Sequence, residues 1–172
     1  MEKLERETLG KMKLENKKQE KRKLIRDKFA VLSKFEDQDI KLDEAALLIS
    51  AENEPELDIP FFLQRLDTMA IKFKTLTNDT PELGVSITGL TQFIHQNEGF
   101  SGNTNDYYDP RNSFLNKVLE NKRGIPITLA LIHICLGKRI GIQVDGMNFP
   151  GRFLVKYGNS PSTIVDPFSG RV

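Results

Sequence analysis

A chain of 172 residues, 38% hydrophobic and 28% charged, has enough apolar mass for one domain, or one domain with an appendage. Its net charge of +1 gives no global reason to expect nucleic acid or acidic ligands, and its single cysteine excludes an internal disulfide framework. The longest apolar run, Ile125 to Leu136, is too short to span a bilayer and contains His133, and the N-terminus lacks an apolar signal core, so a soluble cytoplasmic protein is the expectation.

The charge is uneven. Residues 1–28 hold 11 Lys and Arg against 6 Asp and Glu, leaving 14 basic and 18 acidic residues for the remainder. Residues 1–32 therefore stand apart as a basic helical extension to a domain over 33–172. The extension has no proline, one glycine and many helix formers, but its apolar residues are sparse. That predicts a solvated or frayed helix packing only near Leu24–Leu32. Residues 42–53, LDEAALLISAEN, read as a short helix ended by Pro55, with Asp43 a candidate cap. In the next segment Phe62, Leu66, Met69, Ala70 and Phe73 recur at helical spacing, giving an amphipathic stripe. Thr80-Pro81-Glu82 opens a third helical segment with Leu90, Phe93 and Ile94 on its inner face.

Residues 99–112, GFSGNTNDYYDPRN, are loop chemistry, followed by a short helix over Ser113–Asn121. Arg123-Gly124-Ile125-Pro126 is a break. Pro126 suits the first turn of the next helix, which is apolar on most sides over Ile127–Lys138 and is followed by Gly141. IQVDGMNF, GRFLVKY and STIVDPF then read as an antiparallel meander. The predicted class is α+β: helices first, then a buried helix against a small antiparallel sheet, with Leu129, Ile132, Phe153, Val155 and Ile164 in the core.

Chemistry-bearing residues are few. His133 and Cys135 stand at i and i+2 on a helix and point to opposite sides, so they do not pair with each other. Cys135, within an apolar run, reads as packing, His133 as a helix-face histidine with a local hydrogen bond, and His95 as a structural residue near a helix end. Two histidines and one cysteine so scattered offer no metal-ligand spacing, and no phosphate-cradling glycine motif is present. Asp166 follows an apolar run and requires a partner. If the turn between the last two strands spans roughly 157–161, Arg152 falls opposite it across the ladder and supplies one.

The phrases SGN, DYYDPRNS, RGIPITL, PGRFLV and VDPFSG, in this order, resemble the SirB-type proteins of the transglutaminase-like superfamily. The likeness covers roughly residues 40–170. It implies a transglutaminase-like, papain-like core that usually continues into a C-terminal tetratricopeptide-like region, so a truncated chain is expected. Enzymes of the superfamily pair a cysteine at a helix N-terminus with a histidine on a following strand, oriented by an aspartate. By position these roles fall on Pro126, Arg152 and Asp166. The nucleophile is replaced by proline and the base by arginine, which stays protonated. The resemblance thus implies a pseudoenzyme with no cofactor and no metal. Tyr107, Tyr108, Arg111, Asn112, Asn148 and Arg152 are its implied groove-lining residues, with a peptide or protein partner, or a small ligand. Two alternatives stand beside it: a residual transferase or hydrolase using other residues of the cleft, and an adaptor binding nucleic acid or an anionic membrane surface through residues 1–28.

Overall fold

The structure, a computed structural model, describes residues 2–79, 87–158 and 163–172. The chain divides into two compact units, Met1–Ile59 and Pro60–Val172. Among the described residues no helix is long and apolar enough to cross a membrane.

The first unit holds helix α1 (Glu2–Leu32), a short 3-10 turn and helix α2 (Leu42–Asn53). Of the apolar residues near the end of α1, Leu24, Phe29 and Val31 are exposed, while Ile25 and Leu32 are half-buried. The half-buried positions are Lys18, Lys21, Arg22, Ile25 and Leu32, mostly spaced as one helical stripe. Polar pairs join these apolar positions in the contact. Arg26 Nε lies 3.0 Å from Glu52 Oε1, Lys21 pairs with Glu56, and Arg22 Nε donates to the Glu52 carbonyl at 3.3 Å. Asp43 falls in the first turn of α2 rather than at its cap, which is Lys41.

The second unit begins with helix α3 (Ile59–Asp79), whose stripe Phe62, Leu66, Met69, Ala70 and Phe73 is buried as the periodicity requires. The predicted helix start at Thr80-Pro81-Glu82 lies outside the described residues. Helix α4 (Ile87–Gln92) runs into a π-helical turn over Phe93–Asn97, closed by Glu98 N–H on the Phe93 carbonyl at 2.9 Å. Leu90, Phe93 and Ile94 are buried there, with the Phe93 ring edge-on to Phe73. Strand β1 (Ser101–Gly102) pairs in parallel with β2 (Arg123–Gly124), and helix α5 (Leu115–Asn121) lies between them in sequence.

Helix α6 (Pro126–Ile140) is the buried helix. Pro126 opens it, where a missing N–H costs nothing, and Gly141 ends it. Leu129, Ala130, Ile132, Cys135 and Leu136 are buried. Strands β3 (Val144–Phe149), β4 (Arg152–Tyr157) and β5 (Thr163–Val165) follow as an antiparallel meander, and α6 packs on β3 and β4. The class is α+β. Val155, Tyr157 and Val165 point into the core and are fully buried. Two core expectations need correction. Ile164 is 45% exposed, because it alternates with Val165 and falls on the opposite face of the sheet. Phe153 is only half-buried: it shares the inner face with Val155, but near the sheet end.

Candidate functional site

At the start of α6 lies a groove of about 890 Å³. One wall is Gly151 and the first half of β4, Arg152 to Leu154; the other is the segment Asp166–Val172; Ser101 and Gly102 come from β1, Thr104 and Tyr107 from the loop after it, and Pro126 from the helix start. The positions aligned with nucleophile, base and orienting aspartate (Pro126, Arg152 and Asp166) therefore share one groove, although 40 residues of sequence separate the first from the last.

Arg152 and Asp166 are not ladder partners. Val155 faces Val165, and Tyr157 faces Thr163, so the connection occupies 158–162 rather than 157–161. Arg152 instead pairs with Phe149 on β3. The register carried one step further sets Asp166 beside Leu154. Arg152 thus stands two residues along on the same sheet face, diagonal to Asp166. Among the described residues no ion pair joins them. The Asp166 carboxylate is committed locally: Oδ1 accepts from Phe168 N–H and Oδ2 from the Ser169 hydroxyl, each at 2.9 Å. Its backbone closes the same loop, with Asp166 N–H on the Arg171 carbonyl and Gly170 N–H on the Asp166 carbonyl, both at 2.8 Å. Asp166 is the organiser of one groove wall. It is also the single carboxylate side chain lining the groove among the described residues.

Phe168 is seated on Gly102. The Gly102 N–H donates to the Phe168 carbonyl at 2.8 Å, and a Cβ at residue 102 would lie 2.3 Å from the Phe168 ring, so only glycine admits this approach. The Tyr107 ring stands 6.0 Å from that of Phe168.

Of the other lining residues implied by the family likeness, Tyr107 borders the groove. Tyr108, 90% exposed, stacks edge-on against Tyr107 from outside. Arg111 is turned onto Asp109, with Nε at 2.8 Å from Oδ2. Asn148 is exposed on β3 and does not line the groove. Asn112 is buried and acts as a strut: its amide donates to the Asp106 and Tyr107 carbonyls at 2.7 and 3.1 Å, and its oxygen accepts from Asn103 Nδ2 at 3.0 Å. Thr128, in the first turn of α6, donates to the Asn112 carbonyl at 2.7 Å and ties this loop to the helix.

Behind the groove wall lies a constellation that local reading of the histidines missed. His95 Nε2 is 3.1 Å from His133 Nε2, His133 Nδ1 meets the Tyr157 hydroxyl, and His95 Nδ1 is 2.9 Å from the Phe100 carbonyl. A carbonyl only accepts, so His95 Nδ1 carries the proton, and its neutral ring offers Nε2 as acceptor. His133 must then donate from Nε2 and accept at Nδ1, which requires the Tyr157 hydroxyl to donate to it. The Thr91 hydroxyl bonds the phenol oxygen in turn. Every donor in the chain is assigned.

Burial sets the electrostatics. His133 is fully buried and its pKa falls to about 3, through desolvation first and the neighbouring His95 second. Desolvation also lowers His95, against the Phe100 carbonyl and the Asp166 charge, which favour its protonated form. Burial raises Tyr157. His95 backs the groove wall directly, since a Cβ on Gly170, which has φ +71, would lie 2.7 Å from His95 Cγ. The bond partners of these histidines are 38 and 24 residues away, so neither bond is local. The π-turn gives no sequence signal, and it is this turn that carries His95. The available hint was that His133 lies within an apolar run, whereas His95 is followed by Gln96, Asn97 and Glu98. Cys135 is buried in the third turn of α6, away from the helix start.

Comparison with known proteins agrees with this architecture. Residues 61–172 match the model of the transglutaminase-like superfamily, starting one residue into the second compact unit. A UPF0162 protein of Xylella fastidiosa is 37% identical over 144 residues, which is 81% of this chain and 50% of that protein. A UPF0162 protein of Pseudomonas aeruginosa is 32% identical over 130 residues, covering 76% and 47%. Human F-box only protein 21 is 34% identical over 71 residues, covering 41% of this chain and 11% of that protein. The chain spans about half the length of the UPF0162 relatives it matches. No solved structure matches it. By the match over residues 61–172, the chain belongs to the transglutaminase-like superfamily.

Proposed function

We propose that this domain is a non-catalytic binding module that holds a protein segment in the groove where relatives of its fold would place a thiol, an imidazole and a carboxylate. One observation carries the reading. Pro126, Arg152 and Asp166 line a single groove, and none offers a nucleophile or a free base. Proline has neither, arginine stays protonated, and both carboxylate oxygens of Asp166 accept hydrogen bonds from its own loop. The serine and threonine hydroxyls of the groove have no imidazole beside them among its lining residues, because both histidines lie behind the wall. The groove retains what binding needs: concavity, apolar surface from Leu154, Ile164 and Phe168, and polar groups at its edges.

The basic arm gives less support to a nucleic-acid adaptor, since Lys21, Arg22 and Arg26 already meet acidic residues of the same unit.

Peptide display against the immobilised chain tests the proposal, with counter-selection on Ile164→Lys. Ile164 is exposed, so this variant keeps its fold while altering the groove. The expected result is clones that bind the parent chain and lose at least tenfold on the variant. Absence of enriched clones, or clones indifferent to residue 164, contradicts it.

A further inference from the structure

Among the side chains lining the groove two are cationic, Arg152 and Arg171, and one is anionic, Asp166, and this excess bears on the ligand. Arg152 comes from the start of β4 and Arg171 from the end of the Asp166 loop; both line the groove and are exposed. Among the described residues neither guanidinium makes an ion pair or a side-chain hydrogen bond. The one carboxylate side chain of the groove accepts one hydrogen bond on each oxygen, from Phe168 N–H and the Ser169 hydroxyl, and is paired with neither arginine. This differs from the other arginines near the groove loops: Arg111 is locked on Asp109, and Arg123 donates to the Gly99 and Lys122 carbonyls at 2.9 Å. Two planar, permanently charged forks thus remain unspent along one groove, with half-buried Leu154 and exposed Ile164 on the same sheet face as Arg152.

Resting on the binding-module reading, we propose that the groove selects an acidic peptide segment, with Asp or Glu carboxylates taken by Arg152 and Arg171 and a neighbouring apolar side chain laid over Leu154 and Ile164. An arginine recognises a carboxylate through paired N–H donors, a geometry that lysine or a neutral amide does not reproduce. The apolar floor separates a peptide from a free anion, which would gain nothing from Ile164. An exposed arginine costs little to leave solvated, so the discrimination comes from contacts made on binding rather than from relief of strain in the empty groove.

The test uses two fluorescein-labelled hexapeptide pools on the full chain. One carries Asp or Glu at each position in turn among Leu, Gly and Ser; the other is its amide twin with Asn and Gln. The acidic pool should bind roughly tenfold or more tighter than the amide pool. Arg152→Gln and Arg171→Gln, both exposed and expected to melt with the parent, should each remove most of that preference. Ile164→Ser should weaken both pools together. Equal binding of the two pools overturns this inference while leaving the binding-module reading intact. Binding of neither pool by the folded chain overturns this inference too, and the display selection then decides the module reading on its own. Displacement of the acidic pool by equimolar free glutamate or inorganic phosphate would identify a simple anion site and overturn it, as would tighter binding of a labelled oligouridine than of the acidic pool.

Discussion

His95 and His133 face each other Nε2 to Nε2 at 3.1 Å, and only one arrangement of protons satisfies both neutral rings. Because Phe100 presents a carbonyl to His95, the Tyr157 hydroxyl must be a donor to His133. Tyr157→Phe keeps the ring and removes that donor, leaving His133 Nδ1 buried without a partner. The expected cost is about 1–3 kcal/mol, read as a lower urea midpoint at unchanged slope. A variant as stable as the parent would contradict a stabilising His133–Tyr157 hydrogen bond.

The same pair sets a pH dependence. Folded His133 has a pKa lowered to about 3, against about 6.5 in an unfolded chain. Between those values the unfolded state binds more protons, so stability rises with pH. The contribution is complete above the unfolded value and is lost as pH falls toward the folded one. His95 is shifted in the same direction, with Asp166 as the opposing charge. Urea titrations should show a loss of roughly 1–2 kcal/mol between pH 6.5 and 5, before most carboxylates protonate, and His133→Gln should flatten it. A flat profile over that interval in the parent chain would count against burial of a neutral His133.

Arg152 and Asp166 differ in what they support, and their alanine variants should differ accordingly. Asp166→Ala removes two acceptors from the loop 166–171 and should cost about 1–3 kcal/mol. Arg152→Ala should stay within about 0.5 kcal/mol of the parent, as for an exposed side chain without a structural partner. Equal losses in thermal and urea melts, with a non-additive double variant, would indicate an ion pair instead.

Gly170 sets the groove wall against the His95 ring. Gly170→Ala meets both an unfavourable φ and the His95 ring, so it should cost about 2–4 kcal/mol and shift the His95 ring resonances. In a His95→Ala background the steric part disappears and the penalty should fall to about 1–2 kcal/mol. An unchanged penalty would place the strain in the backbone alone.

The elements were legible where local chemistry decides them. Proline at N1 marked the start of α6, the Phe62 to Phe73 spacing marked the inner face of α3, and β-branched runs between turn residues marked the meander. Side-chain partners chosen by tertiary packing were not legible. The 158–162 connection moved Asp166 from opposite Arg152 to diagonal, a shift of two in register that no strand pattern encodes, because it keeps every side chain on its face. Ile164 was misplaced because STIVDPF is apolar on both sides of its alternation. The likeness to the superfamily supplied what spacing does not, namely that Pro126, Arg152 and Asp166 belong to one groove.

A peptide bound in this groove and left intact should shield the groove walls. Hydrogen–deuterium exchange of the chain with an acidic hexapeptide from the tighter pool, with the recovered peptide weighed in the same run, tests it most directly. The expected result is slowed exchange over residues 151–154 and 164–171, little change in α1, and a peptide of unaltered mass. Protection confined to another surface, or a peptide recovered cleaved or joined to an amine, would contradict it.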